Sequence, residues 1–360
     1  MQIWNCAGCD HTLYFDNFTC LRCGAALGFL PDRMEMAALQ AEGGGELWLP
    51  VQAAEAEGYR RCANASAHDA CNWMVPAADS DPYCVACRLN RTIPDLSAGN
   101  NLALWKRLEA EKRRLVYGLM RLGLPVIGKP DDPERGVAFD FLADPDPQFR
   151  EGPGVVTGHA DGVITLNVAE ADDAVRERMR QDMAEPYRTI LGHFRHESGH
   201  YYWDRLVRDS NWLETVRERF GDESLDYGEA LERHYQVGPP PDWSERFVSH
   251  YASSHPWEDW AESWAHYLHI VDTLETAWQL GMRVRPKVDE AEELSLDSHR
   301  DPYRESRFQV LMDAWTPLTV ALNNLNRSMG QPDAYPFVLA AEPLAKLELV
   351  HDIVCAQRSA

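Results

Sequence analysis

The spacing of the cysteines is the strongest constraint on what the first part of this chain can fold into. Eight of the nine cysteines lie within the first 87 residues. The first set has the spacing C-x2-C-x10-C-x2-C and consists of Cys6, Cys9, Cys20 and Cys23. Each C-x2-C pair can turn two thiolates toward one point, and two pairs complete a tetrahedral zinc site that supplies much of a small module's folding energy. We predict a zinc ribbon over residues 1–30, although the same spacing also suits a rubredoxin-like iron site.

The second cysteine set is spaced more loosely than the first. It follows the pattern C-x8-C-x12-C-x2-C and consists of Cys62, Cys71, Cys84 and Cys87. We predict a second four-cysteine zinc module over residues 58–95. The alternative is that Cys62 and Cys71 are small buried apolar residues, with His68 as a substitute ligand.

The overall composition is that of a globular protein with a large acidic excess. Apolar residues make up 45% of the chain, which is enough for a sizeable core, and the net charge is -22. Such a charge repels phosphate backbones and anionic lipid, and the first 100 residues carry twice as many acidic as basic side chains. We therefore expect neither nucleic acid nor a membrane as a partner.

The sequence also bears on the compartment. No stretch is long and apolar enough to span a bilayer, and the N-terminal residues lack the basic and apolar regions of a signal peptide. The expected location is the cytoplasm. In that reducing compartment, clustered cysteines favour metal binding over disulfides.

The remainder of the chain, residues 100–357, has the pattern of one α+β, mainly helical domain with a small antiparallel sheet. A hairpin is predicted to turn at Asp161 and Gly162, and its second strand covers residues 162–168. Residues 37–58, which include three consecutive glycines, are predicted to link the two cysteine modules. Further elements follow from apolar periodicity, with a strand at 137–142 and helices at 102–122, 172–184, 186–207, 256–280, 305–326 and 342–357.

The helix predicted to begin at Pro186 contains the motif His196-Glu197-Ser198-Gly199-His200. Positions four apart share one face of a helix, so both imidazoles can bind one zinc ion while Glu197 borders the water on that ion. Zinc lowers the pKa of such a water and the carboxylate takes its proton, which is the chemistry of peptide hydrolysis. His193, one turn earlier, is a competing ligand. A surface helix with two unrelated histidines is the alternative.

A catalytic zinc site needs a third protein ligand and an open position. No third histidine follows His200 in the metzincin pattern, so the ligand is expected from another helix. Residues 257–266 supply two carboxylates four apart, Glu258 and Glu262. One can bind the metal while the other hydrogen-bonds a ligating imidazole. An acid at position 258 is also favoured by the helix dipole alone.

These residues resemble gluzincin metallopeptidases, in which a Glu ligand is followed four positions later by Asp or Glu. The forms His-Glu-x-Gly-His and Glu-x-x-Ala-Glu are similar to the lethal-factor-like branch. The resemblance implies that Glu258 is the ligand and that Glu262 supports a ligating histidine. It also implies that Tyr251, seven residues before Glu258, donates a hydrogen bond to the oxyanion. The alternatives for that duty are His250, His255 and His266.

Taken whole, the chain resembles a bacterial family of zinc-dependent metallopeptidases with an N-terminal zinc-ribbon domain. The resemblance is carried by residues 6–24, 164–167, 196–200, 258–269 and 329–333. It implies a zincin-like domain over residues 100–357 that acts on a peptide or protein substrate, with one catalytic zinc ion and one or two structural ones. The strand at residues 162–168 would pair with substrate backbone, or is an ordinary core strand. A non-catalytic zinc-binding adaptor with the same fold is the alternative function.

Overall fold

The computed structural model describes residues 1–51, 58–144, 155, 157–182, 189–287 and 292–358, with the backbone alone for 179–182. The architecture is α+β and mainly helical with several small sheets, which confirms the predicted fold class. In the described part of the chain, none of the helices is both long enough and apolar enough to cross a membrane.

The two cysteine sets belong to one region that is rich in β-structure. Its elements are β1 (Ile3–Asn5), β2 (Thr12–Tyr14), β3 (Ala26–Leu30), β4 (Glu35–Glu42), β5 (Leu47–Pro50), β6 (Tyr59–Arg61), α1 (Ala63–His68), β7 (Met74–Pro76) and β8 (Asn90–Thr92). Strands β3 to β7 form a single antiparallel sheet in chain order. The predicted link over residues 37–58 is therefore wrong in its described part, because most of β4 and all of β5 lie there. The three glycines at 43–45 all have positive φ and make the turn between these strands.

Helices dominate the rest of the chain. Its elements are α2 (Asn101–Arg121), β9 (Ala138–Leu142), β10 (Gly158–Ala160), β11 (Val163–Asn167), α3 (Asp173–Asp182), α4 (Ile190–Leu206), α5 (Leu213–Phe220), α6 (Tyr227–Val237), α7 (Trp243–Arg246), α8 (Pro256–Gln279), β12 (Arg283–Val284), β13 (Leu296–Asp297), α9 (Phe308–Ser328) and α10 (Ala341–Gln357). Helix α4 begins at Ile190 because the extended Thr189 caps it, its hydroxyl accepting a hydrogen bond from the Gly192 N–H at 2.9 Å. The predicted start at Pro186 lies outside the described residues.

A mixed sheet with the strand order β10-β11-β9-β8 packs beside α4. Strands β10 and β11 form the predicted hairpin, and φ is positive at both turn residues, 48° at Asp161 and 77° at Gly162, as a two-residue turn of this kind requires. Strand β9 pairs with β11 in parallel, and β8 pairs with β9 in parallel. Among the described strands β10 lies at one edge and β11 lies inside, so residues 162–168 are a core strand and the predicted substrate-pairing edge there is wrong. Strand β8 comes from the cysteine-rich region, which therefore shares this sheet with the helical body.

A cluster of buried aromatic rings joins the cysteine-rich region to α2. The Tyr117 ring centroid lies 5.3 Å from that of Phe15 and 5.9 Å from that of Phe29. Trp73, two residues after the second cysteine of the second set, packs against Phe29 at a tilt, with the ring centroids 4.7 Å apart. The cysteine-rich region and the helical body therefore share one hydrophobic core.

Candidate metal centre

Helices α4 and α8 approach each other closely at the middle of the His-Glu-x-x-His motif. A Cβ atom on Gly199 would lie 2.8 Å from the Cα of Ala261, so only glycine allows this approach. The indole N–H of Trp260 donates a hydrogen bond to the Gly199 carbonyl at 2.9 Å, and that of Trp264 donates to the Ser198 hydroxyl at 3.1 Å. The close approach brings the motif on α4 next to the first turn of α8.

Three side chains meet at this crossing, with one ligand atom from each of His196, His200 and Glu258. The Nε2 atoms of His196 and His200 are 3.2 Å apart, and the Glu258 carboxylate lies 2.9 Å from the first and 3.5 Å from the second. A tetrahedral zinc site with bonds of ~2.0–2.1 Å separates its ligand atoms by about 3.3 Å. Glu258 Oε2, the oxygen 2.9 Å from His196 Nε2, is buried and accepts no hydrogen bond among the described residues. Nitrogen and oxygen donors at these spacings fit a single zinc ion.

Glu262 orients the ring of His196. One carboxylate oxygen of Glu262 lies 2.7 Å from His196 Nδ1, and the other accepts a hydrogen bond from the Ser249 hydroxyl at 2.6 Å. Burial raises the pKa of Glu262, but the hydrogen bond and charge of His196 outweigh it and lower the pKa. An ionised Glu262 can accept the Nδ1 proton of a neutral His196, and in that tautomer Nε2 carries the lone pair that a metal ion requires.

The ligand cluster has a contact that the sequence did not reveal. The hydroxyl of Tyr227, at the start of α6, donates a hydrogen bond to Glu258 Oε1 at 2.8 Å. Burial raises the pKa of Glu258, but the neighbouring His200 and His196 outweigh it and hold the pKa well below its usual range. Glu258 is therefore ionised, which is the state in which a carboxylate can bind a metal ion.

The two carboxylate oxygens of Glu197 have different surroundings. Its Oε1 lies 3.2 Å from His193 Nε2, whereas its buried Oε2 has no hydrogen-bond partner within the described part of the chain. His193 Nδ1 lies 2.7 Å from a carboxylate oxygen of Glu170. Burial lowers the pKa of His193, but Glu170 and Glu197 outweigh it and raise the pKa to about 9. His193, a competing ligand on sequence grounds, thus lies with two carboxylates outside the ligand cluster.

Tyr251 lies beside the cluster, with its ring centroid 5.9 Å from that of His196. Burial and the charge of Glu258 raise its pKa, so the hydroxyl stays protonated. Two of the histidines weighed against it have other contacts. His255 caps α8, its Nδ1 accepting a hydrogen bond from the Trp257 N–H at 3.1 Å, and His266 Nδ1 lies 2.7 Å from the Tyr335 hydroxyl. The third, His250, packs against the ring of Trp243.

Two further rings border the cluster on the side of His200. The Trp257 ring centroid lies 4.0 Å from that of His200, and the His159 ring on β10 stacks at 6.3 Å. Burial is the main cause that lowers the pKa of His159 to about 4, so its ring is neutral. His159 was not singled out from the sequence, and its position puts the edge strand next to the metal cluster.

The structure brings each cysteine set together. In the first set, Sγ–Sγ distances are 3.7 Å between Cys6 and Cys23 and 3.6 Å between Cys9 and Cys20. In the second, Cys71 and Cys84 are 3.7 Å apart, and all four thiols are buried. A tetrahedral site with Zn–S bonds of ~2.3 Å spaces its sulfurs by about 3.8 Å. His68, weighed as a substitute ligand, packs against the ring of Trp105 instead.

Charged side chains from α2 enclose the second cysteine cluster. Cys87 Sγ lies 3.5 Å from Glu109 Oε2, and the buried Lys112 ammonium lies 2.9 Å from the other oxygen of Glu109. The Arg113 guanidinium donates a hydrogen bond to the Ala70 carbonyl at 2.7 Å. Burial lowers the pKa of Arg113, but the neighbouring thiolates outweigh it and raise the pKa. The helical body thus supplies cations beside this cluster.

Comparison with known proteins follows the same division of the chain. The family described as "Putative zinc-binding metallo-peptidase" matches residues 101–353. The chain belongs to this zinc-binding metallo-peptidase family. A zinc-ribbon domain matches residues 3–98 and so covers both cysteine sets. These two matches confirm the predicted resemblance.

Relatives of this chain occur in mycobacteria. Uncharacterized proteins from Mycobacterium bovis and from two strains of Mycobacterium tuberculosis are each 42% identical to it over 355 residues. The matched segment covers 98% of this chain and 95% of each relative. No solved structure matches the chain.

Proposed function

We propose that this member of the metallo-peptidase family is a zinc-dependent peptidase in which His196, His200 and Glu258 hold the catalytic ion. The observation that carries the proposal is the buried Glu197, whose Oε2 has no partner among the described residues although it lies between two ligand positions of α4. Burial raises the pKa of Glu197, but His193 and the other histidines outweigh it and lower the pKa. An ionised carboxylate with a free oxygen at this place is suited to act as a general base. Metal binding alone needs no such group, which argues against a non-catalytic adaptor.

The chemistry follows from where each side chain lies. Zinc held by the three ligands would lower the pKa of a water molecule and polarise the substrate carbonyl. Glu197 Oε2 accepts a proton from the attacking water as the carbon–oxygen bond forms, and passes it to the amine nitrogen as the carbon–nitrogen bond breaks. Tyr251 donates a hydrogen bond to the carbonyl oxygen while negative charge develops on it. Glu262 keeps the ring of His196 in place.

We also propose where the substrate lies and what it is. An extended peptide added to the edge strand β10 would run past the metal cluster, because His159 on this strand stacks at 6.3 Å on His200. The net charge of -22 favours neutral or basic peptides over acidic ones and disfavours nucleic acid and membrane surfaces.

The two four-cysteine clusters are proposed to hold structural zinc ions in addition.

The proposal is tested by comparing the wild-type chain with Glu197→Gln on a mixed peptide library. We expect Glu197→Gln to lower the cleavage rate by about 10²- to 10⁴-fold, because the amide cannot accept a proton, while its zinc content stays that of the wild type. Glu348→Gln, a change at an exposed position of α10, serves as the matched control and should cleave like the wild type. Equal cleavage by wild type and Glu197→Gln would show that the peptidase proposal is wrong.

A further inference from the structure

His193 contacts a carboxylate with each of its two ring nitrogens. Its Nδ1 lies 2.7 Å from Glu170 Oε2, and its Nε2 lies 3.2 Å from Glu197 Oε1. A neutral imidazole has one N–H donor and one acceptor, so it can satisfy only one of the two carboxylates. The imidazolium has two donors and satisfies both. Because its side chain is only 14% exposed, His193 has little access to water in place of either partner.

Glu170, the residue of these contacts that lies farthest from Glu197, is held in place by contacts of its own. Glu170 lies in the short 3-10 turn after β11, and its other oxygen contacts the Thr157 hydroxyl. The same hydroxyl accepts a hydrogen bond from the Asn167 N–H at 3.2 Å, and the Glu170 carbonyl accepts one from Arg176 at 3.0 Å. Glu170 is thus tied to the sheet, and through His193 it reaches the motif on α4.

The contact between His193 and Glu197 affects how Glu197 can act as a base. A glutamate side chain has several staggered conformations, and only some of them direct an oxygen toward the metal cluster. The contact of Oε1 with His193 selects one conformation, in which Oε2 has no hydrogen-bond partner in the part of the chain that the structure describes. Orientation of this kind matters for the rate, since a displacement of about 1 Å can cost about 100-fold.

We propose that Glu170 and His193 form a positioning relay that holds one oxygen of Glu197 and leaves the other for the attacking water. The inference rests on the proposed function, in which Glu197 is the base. Neither residue reaches the ligand cluster, so both act through Glu197. The relay also joins the sheet that carries the proposed substrate strand to the helix that carries the metal motif.

Three substitutions of His193 separate this role from a structural one. The amide nitrogen of Gln falls near the position of Nε2 and can still donate to Glu197, whereas that of Asn falls near Nδ1 and reaches only Glu170. We expect His193→Phe to lower kcat about 10- to 100-fold with little change in KM or zinc content. His193→Gln should recover much of kcat and His193→Asn should not. Recovery of kcat by His193→Asn but not by His193→Gln would show that His193 acts through its contact with Glu170 alone. That result would overturn the inference.

A measurement independent of activity checks the charge of the relay. In the zinc-loaded chain labelled with ¹⁵N-histidine, we expect NMR at neutral pH to show that both ring nitrogens of His193 are protonated. The variant Glu170→Gln, which removes one of the two carboxylate contacts, is measured beside it. A neutral His193 ring would overturn the inference. If the wild type cleaves peptide and Glu197→Gln does not, while His193→Phe cleaves like the wild type, only the relay fails. If the wild type and Glu197→Gln behave alike, the proposed function fails and the relay with it.

Discussion

The second cysteine cluster and the His196, His200 and Glu258 cluster are both buried, yet they are built differently. The cysteine cluster has four ligands, and α2 encloses it with Glu109 and Lys112. The other cluster offers three ligand atoms, and Glu197 on the same helix has one oxygen with no hydrogen-bond partner among the described residues. Four protein ligands complete a tetrahedral zinc site, whereas three leave a position for water. Burial is therefore common to the two clusters, and the number of ligand atoms that each one offers is what differs.

The largest expected difference between the two clusters is in folding. Cys71→Ser should release the zinc of the second cysteine cluster and unfold the cysteine-rich region, because structural zinc contributes about 10–16 kcal/mol of binding free energy in small zinc modules. His196→Ala should lose the zinc of the three-ligand cluster and stay folded. Near-ultraviolet circular dichroism and zinc analysis of both variants would show this. A Cys71→Ser variant that melts like the wild type would remove the distinction.

A smaller effect is expected where α2 encloses the cysteine cluster. Lys112 and Glu109 are fully buried, so Lys112→Met leaves a carboxylate without its cation and should lower the free energy of unfolding by about 3 kcal/mol. Lys106→Met, on the same helix but only partly buried, is the control and should stay within about 0.5 kcal/mol of the wild type. Denaturant unfolding measures both. Equal stabilities would mean that α2 does not support this cluster.

The smallest effects concern the cluster of His196, His200 and Glu258. They should separate Glu258, the proposed ligand, from Glu262, which is proposed to orient His196. Glu258→Ala should lose the zinc ion under mild chelation. Glu262→Ala should keep the ion with an affinity about 10- to 100-fold lower, because the ring of His196 loses its orienting partner. Competition with a chromogenic chelator gives both affinities. If Glu262→Ala loses the metal while Glu258→Ala retains it, the roles of the two carboxylates are reversed.

The parts of the molecule that could be predicted from the sequence are those set by short spacings. The His-Glu-x-x-His motif and the two carboxylates of α8 each lie within one or two helical turns, and helix geometry alone puts their members on one face. The hairpin at Asp161 and Gly162 was predicted for a similar reason, because its turn chemistry is local. The C-x2-C pairs could be predicted for the same reason, because the two cysteines of each pair lie only three positions apart.

Contacts between distant segments could not be predicted in this way. Tyr227 contacts Glu258 from 31 residues away, and Glu170 contacts His193 from 23 residues away. Nothing local distinguishes either residue from the many other tyrosines and glutamates. The turn at residues 43–45 was misinterpreted because glycines serve flexible links and tight hairpins equally well. Which strand lies at the sheet edge depends on β8 and β9 adding on one side, which is a property of the whole sheet.

The middle of the metal motif has a consequence for protein design. Ser198 accepts a hydrogen bond from Trp264, and Gly199 is the position at which α8 comes closest. Gly199 leaves no room for a larger side chain, and Ser198 holds the indole of Trp264, so both positions serve the helix crossing. Grafting the motif onto a single helix of another scaffold would transfer its two imidazoles and its carboxylate without the surface that aligns them. The transferable unit is the pair of crossed helices.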